Sequence, residues 1–224
     1  MSQRRRVVPA ILTNSAAELE EMVGKANGFA SWVQFDIMDG LFVPPQSVFS
    51  AEIATIKPKF EYDIHLMVYH PESYFVGFRS GGARRITFHH EAVPRAMDWI
   101  TYLKGLGLES GFALNPETPA EAVTKELAAN VSAVLLLSVT PGYYGQPFIP
   151  EVLEKAKELR REYPELIIGM DGGIKPENIT EIARAGVDEI CVGSAIFGAT
   201  DPVASYQELV ALAEKGWQEC SKNS

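Results

Sequence analysis

The sequence predicts a single (β/α)8 TIM barrel over residues 1–224, and three observations lead to this fold class. Eight short apolar segments, bounded by Gly, Pro, Asn or Asp, are typical of buried strands. Amphipathic stretches separate most of them. The average of about 28 residues per strand–helix unit matches a barrel, whereas an open doubly wound sheet of this length usually has fewer units.

The predicted elements follow one another along the whole chain. The strands cover residues 7–12, 32–36, 62–66, 85–88, 111–114, 133–138, 166–170 and 189–192. Ser15 and Glu18 have the spacing of a capping box, and Thr118 with Pro119 has that of a second helix start. The remaining helices are predicted over residues 49–56, 151–163, 176–185 (ended by Gly186) and 201–215.

Composition and charge narrow the function classes. The 20 Lys and Arg against 29 Asp and Glu give a net charge of −9, which disfavours nucleic acid as the main partner. The longest apolar stretch, 133–137, is far too short for a membrane span, and the run 7–12 is too short for a signal peptide core. Cys191 and Cys220 have the spacing of neither a disulfide framework nor a metal pair. We therefore expect a cytoplasmic protein without nucleic-acid or membrane partners.

Polar residues at the predicted strand ends indicate where chemistry takes place, because barrel active sites lie at that face. Asp36 ends strand two and Asp171 ends strand seven. Carboxylates on two distant strands can reach opposite faces of a bound molecule. One can then remove a proton and the other can return it. Each could instead cap a helix or turn, an alternative that we favour only for Asp39, which precedes Gly40.

Glycine-rich segments follow strands six, seven and eight. They contain Gly142, Tyr143, Tyr144 and Gly145, then Gly172 and Gly173, then Gly193 and Ser194. Glycine lets backbone N–H groups approach an anion, and a short helix from Ser194 would add its positive end. Glycine also simply makes turns, but its recurrence in three consecutive loops predicts a phosphate site.

His65 ends strand three and could be a buried core residue, a metal ligand or a proton-transfer group. The segment 89–91 (His-His-Glu) could also reach the barrel mouth, whereas His70 is predicted to lie on the surface. Met38 and Met67 either line the pocket floor or pack in the core.

Seven segments together resemble the ribulose-phosphate 3-epimerase family, in family order and over nearly the whole chain. They are FDIMDGLFV at 35–43, YDIHLMV at 62–68, HHEA at 89–92, ALNP at 113–116, SVTPGYYGQ at 138–146, DGGI at 171–174 and GSAIF at 193–197. The resemblance implies a barrel of the ribulose-phosphate-binding type and an isomerase of the pentose phosphate pathway. Such an enzyme interconverts D-ribulose 5-phosphate and D-xylulose 5-phosphate by two-acid proton transfer at C3, through a metal-stabilised enediolate.

Carried over position by position, the resemblance also implies residue roles. Asp36 is the proton acceptor and Asp171 the proton donor, and both join His65 in binding a divalent metal such as Zn, Fe, Mn or Co. The phosphate site comprises Gly142, Tyr143, Tyr144, Gly145, Gly172, Gly173, Gly193 and Ser194, while Met38, Met67 and His65 contact the sugar part. The expected partner is a small-molecule sugar phosphate, and we expect a homo-oligomer.

Three positions depart from the family pattern, all at the predicted barrel mouth. Gln34 stands where the family has its first metal-binding His, Ala10 where it has a Ser, and Tyr144 at the third place of a Gly-Phe-Gly-Gly loop. Gln34 alternates with Asp36 and so shares its face of the strand. Gln34 therefore predicts either a weaker metal site that prefers Mn or Mg, or an amide N–H that stabilises the enediolate oxygen.

These departures leave other functions open. One is an epimerase for a related ketose phosphate. Another is an aldol-type lyase or decarboxylase of the same barrel group, although Met38 stands where the D-x-K-x-x-D motif of those enzymes has its Lys. A third is a sugar-phosphate-binding barrel without turnover.

Overall fold

The computed structural model describes residues 5–142 and 146–220. Within them, eight parallel strands form a closed barrel in sequence order, and the eighth strand pairs with the first. The predicted (β/α)8 barrel is therefore confirmed. Parallel pairing all round brings the carboxyl ends of the strands to one face of the barrel.

The strands and helices alternate along the chain. The strands are β1 (Arg6–Ile11), β2 (Trp32–Met38), β3 (Glu61–Met67), β4 (Arg85–His89), β5 (Glu109–Leu114), β6 (Ala133–Leu137), β7 (Ile167–Asp171) and β8 (Glu189–Val192). The helices are α1 (Ala16–Ala26), α2 (Ser50–Ile56), α3 (Phe75–Gly81), α4 (Ala96–Gly105), α5 (Lys125–Ala128), α6 (Val152–Glu162), α7 (Ile179–Arg184), α8 (Ser194–Phe197) and α9 (Pro202–Cys220). None of the helices in the described residues has the length and apolar character needed to cross a membrane.

Strands β2 and β3 continue beyond their predicted ends, as β4 and β7 do by one residue each. The β2–β3 ladder runs without a break from Trp32 opposite Glu61 to Met38 opposite Met67. Asp36 therefore lies inside β2 and His65 inside β3, and the expectation that each ends its strand is wrong. Continued pairing with the neighbouring strand, which the local apolar pattern does not reveal, extends both elements.

The helix predicted from Thr118 and Pro119 is also corrected. The structure has a single 3-10 turn at Ala120–Ala122 and then the four-residue helix α5, whose N-cap is Thr124. The Thr118 hydroxyl donates to the Glu91 carboxylate instead of capping a helix. The Thr118 hydroxyl is therefore engaged in a tertiary hydrogen bond and does not cap the predicted helix.

The capping box predicted at α1 forms only in part. The Ser15 side chain accepts the N–H of Glu18, as expected. The Glu18 carboxylate, however, accepts from the Thr13 hydroxyl, and that hydroxyl accepts the Ser15 N–H. The helix start is therefore tied to the end of β1 through Thr13.

Side chains alternate between two layers along each strand. On β2, Val33, Phe35 and Ile37 pack outward against the helices, in the main hydrophobic core. Gln34 and Asp36 lie on the opposite face, inside the barrel, where both are buried. The same alternation places polar side chains of β3, β4 and β7 in the barrel interior, which concentrates them near the barrel axis.

The amino-terminal half of the barrel interior holds a buried ionic cluster. The Arg85 guanidinium donates to Asp63 Oδ2 at 2.8 Å and to Glu189 Oε2 at 2.5 Å. Glu189 also accepts from Arg6 Nε at 3.0 Å, and Asp63 accepts from the Trp32 indole at 3.1 Å. Each buried charge therefore has an oppositely charged partner, as a low-dielectric interior requires.

Candidate active site

A cleft opens at the carboxyl ends of the strands. The interior of the cleft is lined by the side chains of Asp36, Asp171 and Cys191. Its rim is lined by glycines of the loops after β6, β7 and β8. This is the face at which barrel enzymes carry their chemistry.

The two carboxylates converge on one amide. Gln34 Nε2 donates to Asp36 Oδ1 at 2.9 Å and to Asp171 Oδ2 at 2.7 Å. Although β2 and β7 are separated by two strands around the barrel, their inward side chains meet across its axis. The structure thus brings together both predicted acids and Gln34, one of the three residues that depart from the family pattern.

The environment favours the protonated forms of these two acids. Burial raises the pKa of Asp36, and burial together with the negative charge of Asp36 raises the pKa of Asp171. Two buried carboxyls this close together do not both ionise easily, so the pair holds a proton near neutral pH. One group is then available as an acid and the other as a base.

His65 completes a set of side chains that could hold a metal. Its Nδ1 lies 2.9 Å from Asp36 Oδ1 and 3.7 Å from Asp171 Oδ2. One atom from each of these three residues lies within 4.8 Å of the others. Two carboxylates and an imidazole suit divalent ions such as Zn, Mn, Fe or Co. His65 is fully buried behind the acids and does not itself line the cleft.

Cys191 orients the Gln34 amide. The Cys191 thiol donates to Gln34 Oε1 at 3.2 Å, which turns the Gln34 NH2 group toward the two carboxylates. Burial raises the pKa of this thiol, so it stays protonated and able to donate. The residue lies on the inward face of β8 and lines the cleft. Its part in the site is visible only once β8 is placed beside β1 and β2.

A second buried histidine, His89, lies behind His65. The sequence indicated that the segment 89–91 could reach the barrel mouth, but not that His89 contacts His65. His65 Nε2 is 2.9 Å from His89 Nε2, and His89 Nδ1 is 3.2 Å from Glu91 Oε2. Glu91 Oε1 accepts the N–H of Asn115 at 3.0 Å and the hydroxyl of Thr118. The spacing of the segment 89–91 was the available signal, since it puts His89 on an inward strand position and Glu91 in the following turn.

The predicted phosphate loops meet at the cleft where they are described. Gly142, Gly172, Gly173, Gly193 and Ser194 all line it, whereas Tyr143, Tyr144 and Gly145 lie outside the described residues. No Lys or Arg is among the described residues that line the cleft.

Glycine is required at two of these positions. Gly172 has φ +116°, and a Cβ there would lie 2.5 Å from a methyl group of Val139. Gly173 has φ +65°, and its Cβ would lie 2.7 Å from the backbone N of Phe148. Ser138 fixes this turn, since its hydroxyl donates to the carbonyl of Gly172 at 2.7 Å. Backbone, rather than side chains, therefore forms this part of the rim.

Of the other residues considered in the sequence analysis, Met38 and Met67 line the cleft, whereas Asp39 and His70 do not. Met38 and Met67 line the cleft and pack together with Val43. Asp39 accepts the N–H groups of Leu41 and Phe42, at 2.8 and 2.9 Å, and that of Tyr69, so the turn role favoured for it is confirmed. His70 is on the surface, as predicted, with 83% of its side chain exposed.

Comparison with known proteins identifies the family. A model of the ribulose-phosphate 3 epimerase family matches residues 6–197. The chain belongs to this family. The ribulose-phosphate 3-epimerase cytoplasmic isoform of Oryza sativa is 38% identical over 206 residues, covering 88% of this chain and 89% of the relative. The ribulose-phosphate 3-epimerase of Synechocystis is 36% identical over 220 residues, with 94% of each chain covered.

Solved structures of lower identity share the fold. KGPDC from Streptococcus mutans in complex with D-R5P superposes with a TM-score of 0.76 at 13% identity, covering 96% of this chain and all of the other. The 3-hexulose-6-phosphate synthase of Salmonella typhimurium has a TM-score of 0.70 at 17% identity, covering 94% and 99%. At these identities the likeness shows the shared barrel fold alone.

Proposed function

We propose that this chain interconverts D-ribulose 5-phosphate and D-xylulose 5-phosphate by proton transfer at C3. The observation that carries the proposal is the pair of buried carboxyls, Asp36 and Asp171, which face one cleft at the carboxyl ends of β2 and β7. Family membership over residues 6–197 supports the same reaction. Inversion at a carbon next to a carbonyl needs one group to remove a proton and another to return it from the opposite face.

The two acids divide this task. Asp36 removes the C3 proton of D-ribulose 5-phosphate, and Asp171 supplies a proton to the other face of the planar intermediate. In the reverse direction the roles exchange, as microscopic reversibility requires. The raised pKa values of both groups bring them closer to that of a useful general acid or base near neutral pH.

Asp36, His65 and Asp171 would hold a divalent cation, which fits the donor set. When bound, the cation supplies Lewis-acid stabilisation of negative charge on the substrate oxygens. Gln34 directs its NH2 group at these carboxylates and its carbonyl oxygen at the Cys191 thiol. In this orientation Gln34 offers N–H donors to negative charge on a substrate oxygen and no ligand to the cation. The choice between Zn, Fe, Mn and Co then depends on the other three ligands.

Conversion of one epimer into the other is the test of the proposed function. Purified protein, loaded with Mn²⁺ or Co²⁺, is incubated with D-ribulose 5-phosphate and the formation of D-xylulose 5-phosphate is measured. Turnover supports the proposal. Binding of the sugar phosphate without turnover would instead indicate a binding barrel, and turnover confined to another ketose phosphate would indicate an epimerase of related specificity. A homo-oligomer and a cytoplasmic location stay predictions from the sequence.

The phosphate is bound mainly by backbone N–H groups of the loops after β6, β7 and β8, because basic side chains are missing from the described cleft lining. Gly193→Val therefore raises KM strongly, by obstructing the close approach of the phosphate, while the fold is retained. Steady-state kinetics with D-ribulose 5-phosphate measure this. Gly24→Val is the matched control, since a side chain at Gly24 in α1 meets open space. An unchanged KM in Gly193→Val would refute this placement of the phosphate.

Gln34→His restores an imidazole at the fourth corner of the cation site. We expect affinity for Zn²⁺ or Fe²⁺ to rise by about tenfold or more, which corresponds to about 1.4 kcal/mol of binding free energy. Metal titration of the apoprotein by calorimetry measures the change, and activity on D-ribulose 5-phosphate rises with it. Gln146→His is the control, because Gln146 lines the same cleft without contacting either carboxylate. Equal titrations for the wild type and Gln34→His would place position 34 outside the metal site.

A further inference from the structure

Ser138 comes directly after β6 and lies behind the turn that follows β7. It is fully buried and is not among the described residues that line the cleft, whereas Gly172 and Gly173 both line it. The Ser138 hydroxyl lies 2.7 Å from the Gly172 carbonyl oxygen and 3.0 Å from that of Asp171. Because a carbonyl oxygen only accepts hydrogen bonds, the hydroxyl is the donor in both contacts. Ser138 therefore holds this turn from the side opposite the cleft.

The two carbonyl groups depend on the hydroxyl to different extents. The Asp171 carbonyl also accepts the backbone N–H of Ser138, at 2.8 Å. Within the described residues, the Gly172 carbonyl has no donor besides the hydroxyl. The Ser138 main chain is thus sufficient to hold Asp171 in place, whereas the Ser138 side chain determines the orientation of the peptide that joins Gly172 to Gly173.

This orientation decides which group of the peptide faces the cleft. The peptide is trans, so its C=O and N–H point in opposite directions. The C=O of Gly172 points at Ser138, behind the turn, and the N–H of Gly173 therefore points toward the cleft. No group in the described part of the chain accepts this N–H. The Gly173 N–H is thus a donor available to an anion bound in the cleft.

We propose that Ser138 is a positioning residue which, by holding the Gly172 carbonyl from behind, presents the Gly173 N–H to the phosphate group of the substrate. The identity of the ligand as a sugar phosphate rests on the proposed function, whereas the orientation of the peptide rests on the contacts of Ser138. Backbone N–H groups that an anion can approach closely bind phosphate without basic side chains. Glycine at both positions allows the left-handed conformations of this turn, with φ +116° and +65°.

Ser138→Ala removes this constraint selectively. The Gly172 carbonyl is left without a donor on the buried side of the turn, which is unfavourable. Because glycines flank the peptide, it can rotate and turn its carbonyl toward water in the cleft. A carbonyl oxygen at that place repels phosphate, and the Gly173 N–H no longer reaches it. The backbone N–H of residue 138 still donates to the Asp171 carbonyl, so the carboxyl group of Asp171 keeps its position.

The experiment follows the Gly173 amide by ¹H–¹⁵N NMR while inorganic phosphate is titrated into the wild type and into Ser138→Ala. In the wild type we expect the Gly173 amide proton to move downfield as phosphate binds. In Ser138→Ala this movement should be lost, and the Kd for phosphate and the KM for D-ribulose 5-phosphate should rise about five- to tenfold, the effect of one hydrogen bond. The kcat should stay at the wild-type level, a split that lower stability alone does not produce.

Ser132→Ala is the matched control. Ser132 comes directly before β6, at the opposite end of the same strand. Its hydroxyl and its backbone N–H both donate to the carbonyl of Ser110, at 2.8 Å each. The replacement removes the same kind of hydrogen bond at the amino-terminal end of the barrel. It should change neither the response of the Gly173 amide to phosphate nor the KM.

The wild type alone can overturn the proposal, even if Ser138→Ala does not fold, since a Gly173 amide proton that does not move on addition of phosphate would contradict it. An unchanged KM in Ser138→Ala, a lower kcat with unchanged KM, or equal effects of Ser138→Ala and Ser132→Ala would overturn it as well. Phosphate binding is measured without turnover. A wild type that binds phosphate through Gly173 and forms no D-xylulose 5-phosphate would therefore refute the proposed function and support this inference.

Discussion

Asp36→Asn and Asp171→Asn each abolish epimerisation, with a loss of at least about 10²–10⁴-fold in kcat, while the protein remains folded. Each substitution removes one of the two proton carriers and keeps the size and shape of the side chain. The remaining carboxyl cannot both remove and return a proton on opposite faces of C3. The measurement is steady-state kinetics with D-ribulose 5-phosphate, with circular dichroism to verify folding.

The matched control for these two variants is Asp98→Asn. Asp98 lies on the surface in α4, where it pairs with Arg95 at 2.7 Å and half of its side chain is exposed. Its replacement removes the same charge from the chain without touching the cleft, so kinetics stay at the wild-type level. Near wild-type rates in either Asp36→Asn or Asp171→Asn would contradict the assignment of these residues as the acid–base pair.

Arg85→Leu has the largest expected effect on stability. The Arg85 guanidinium is buried between Asp63 and Glu189. Burial lowers its pKa, but these two carboxylates together raise it, so the residue stays charged. Its removal leaves Asp63 as a buried carboxylate without a cation, and Glu189 with Arg6 alone. We expect a loss of about 3–5 kcal/mol in unfolding free energy, as for other broken buried pairs.

Thermal unfolding measures this loss. For a domain of this size it corresponds to a midpoint lower by roughly 6–20 °C. Arg84→Leu, one residue earlier, is the matched control. The Arg84 side chain is 55% exposed and lies 3.4 and 3.9 Å from the carboxylates of Glu61 and Glu109. Surface pairs of this kind contribute less than about 1 kcal/mol. Equal midpoints for the two variants would show that the buried cluster contributes no more than a surface pair.

The sequence was sufficient to predict the barrel and many of the residues that line the cleft at its carboxyl-terminal face. Short apolar runs between amphipathic stretches revealed all eight strands, because each strand must bury one face against helices and the other inside the barrel. It was not sufficient where tertiary contacts override local signals. Thr118 has the local pattern of a helix start, yet its hydroxyl contacts Glu91, which is 27 residues away in the chain.

The candidate site was predictable to the extent that it depends on strand alternation. Asp36, His65 and Asp171 point inward because of their strand positions, and Gln34 follows from its alternation with Asp36. The contacts of Gln34 with Cys191 and of His65 with His89 were not predictable. Each joins residues on different strands, and the distance between them depends on barrel closure rather than on spacing along the chain.

Hydrogen exchange at C3 in D₂O, followed by NMR, tests the two-acid account most directly. The wild type should convert D-ribulose 5-phosphate into D-xylulose 5-phosphate that carries one deuterium at C3. Asp171→Asn should exchange the C3 hydrogen of D-ribulose 5-phosphate through Asp36 without forming the epimer, and Asp36→Asn should exchange only that of D-xylulose 5-phosphate. Epimerisation by the wild type without solvent deuterium in the product, or exchange of both epimers by either single variant, would contradict the account.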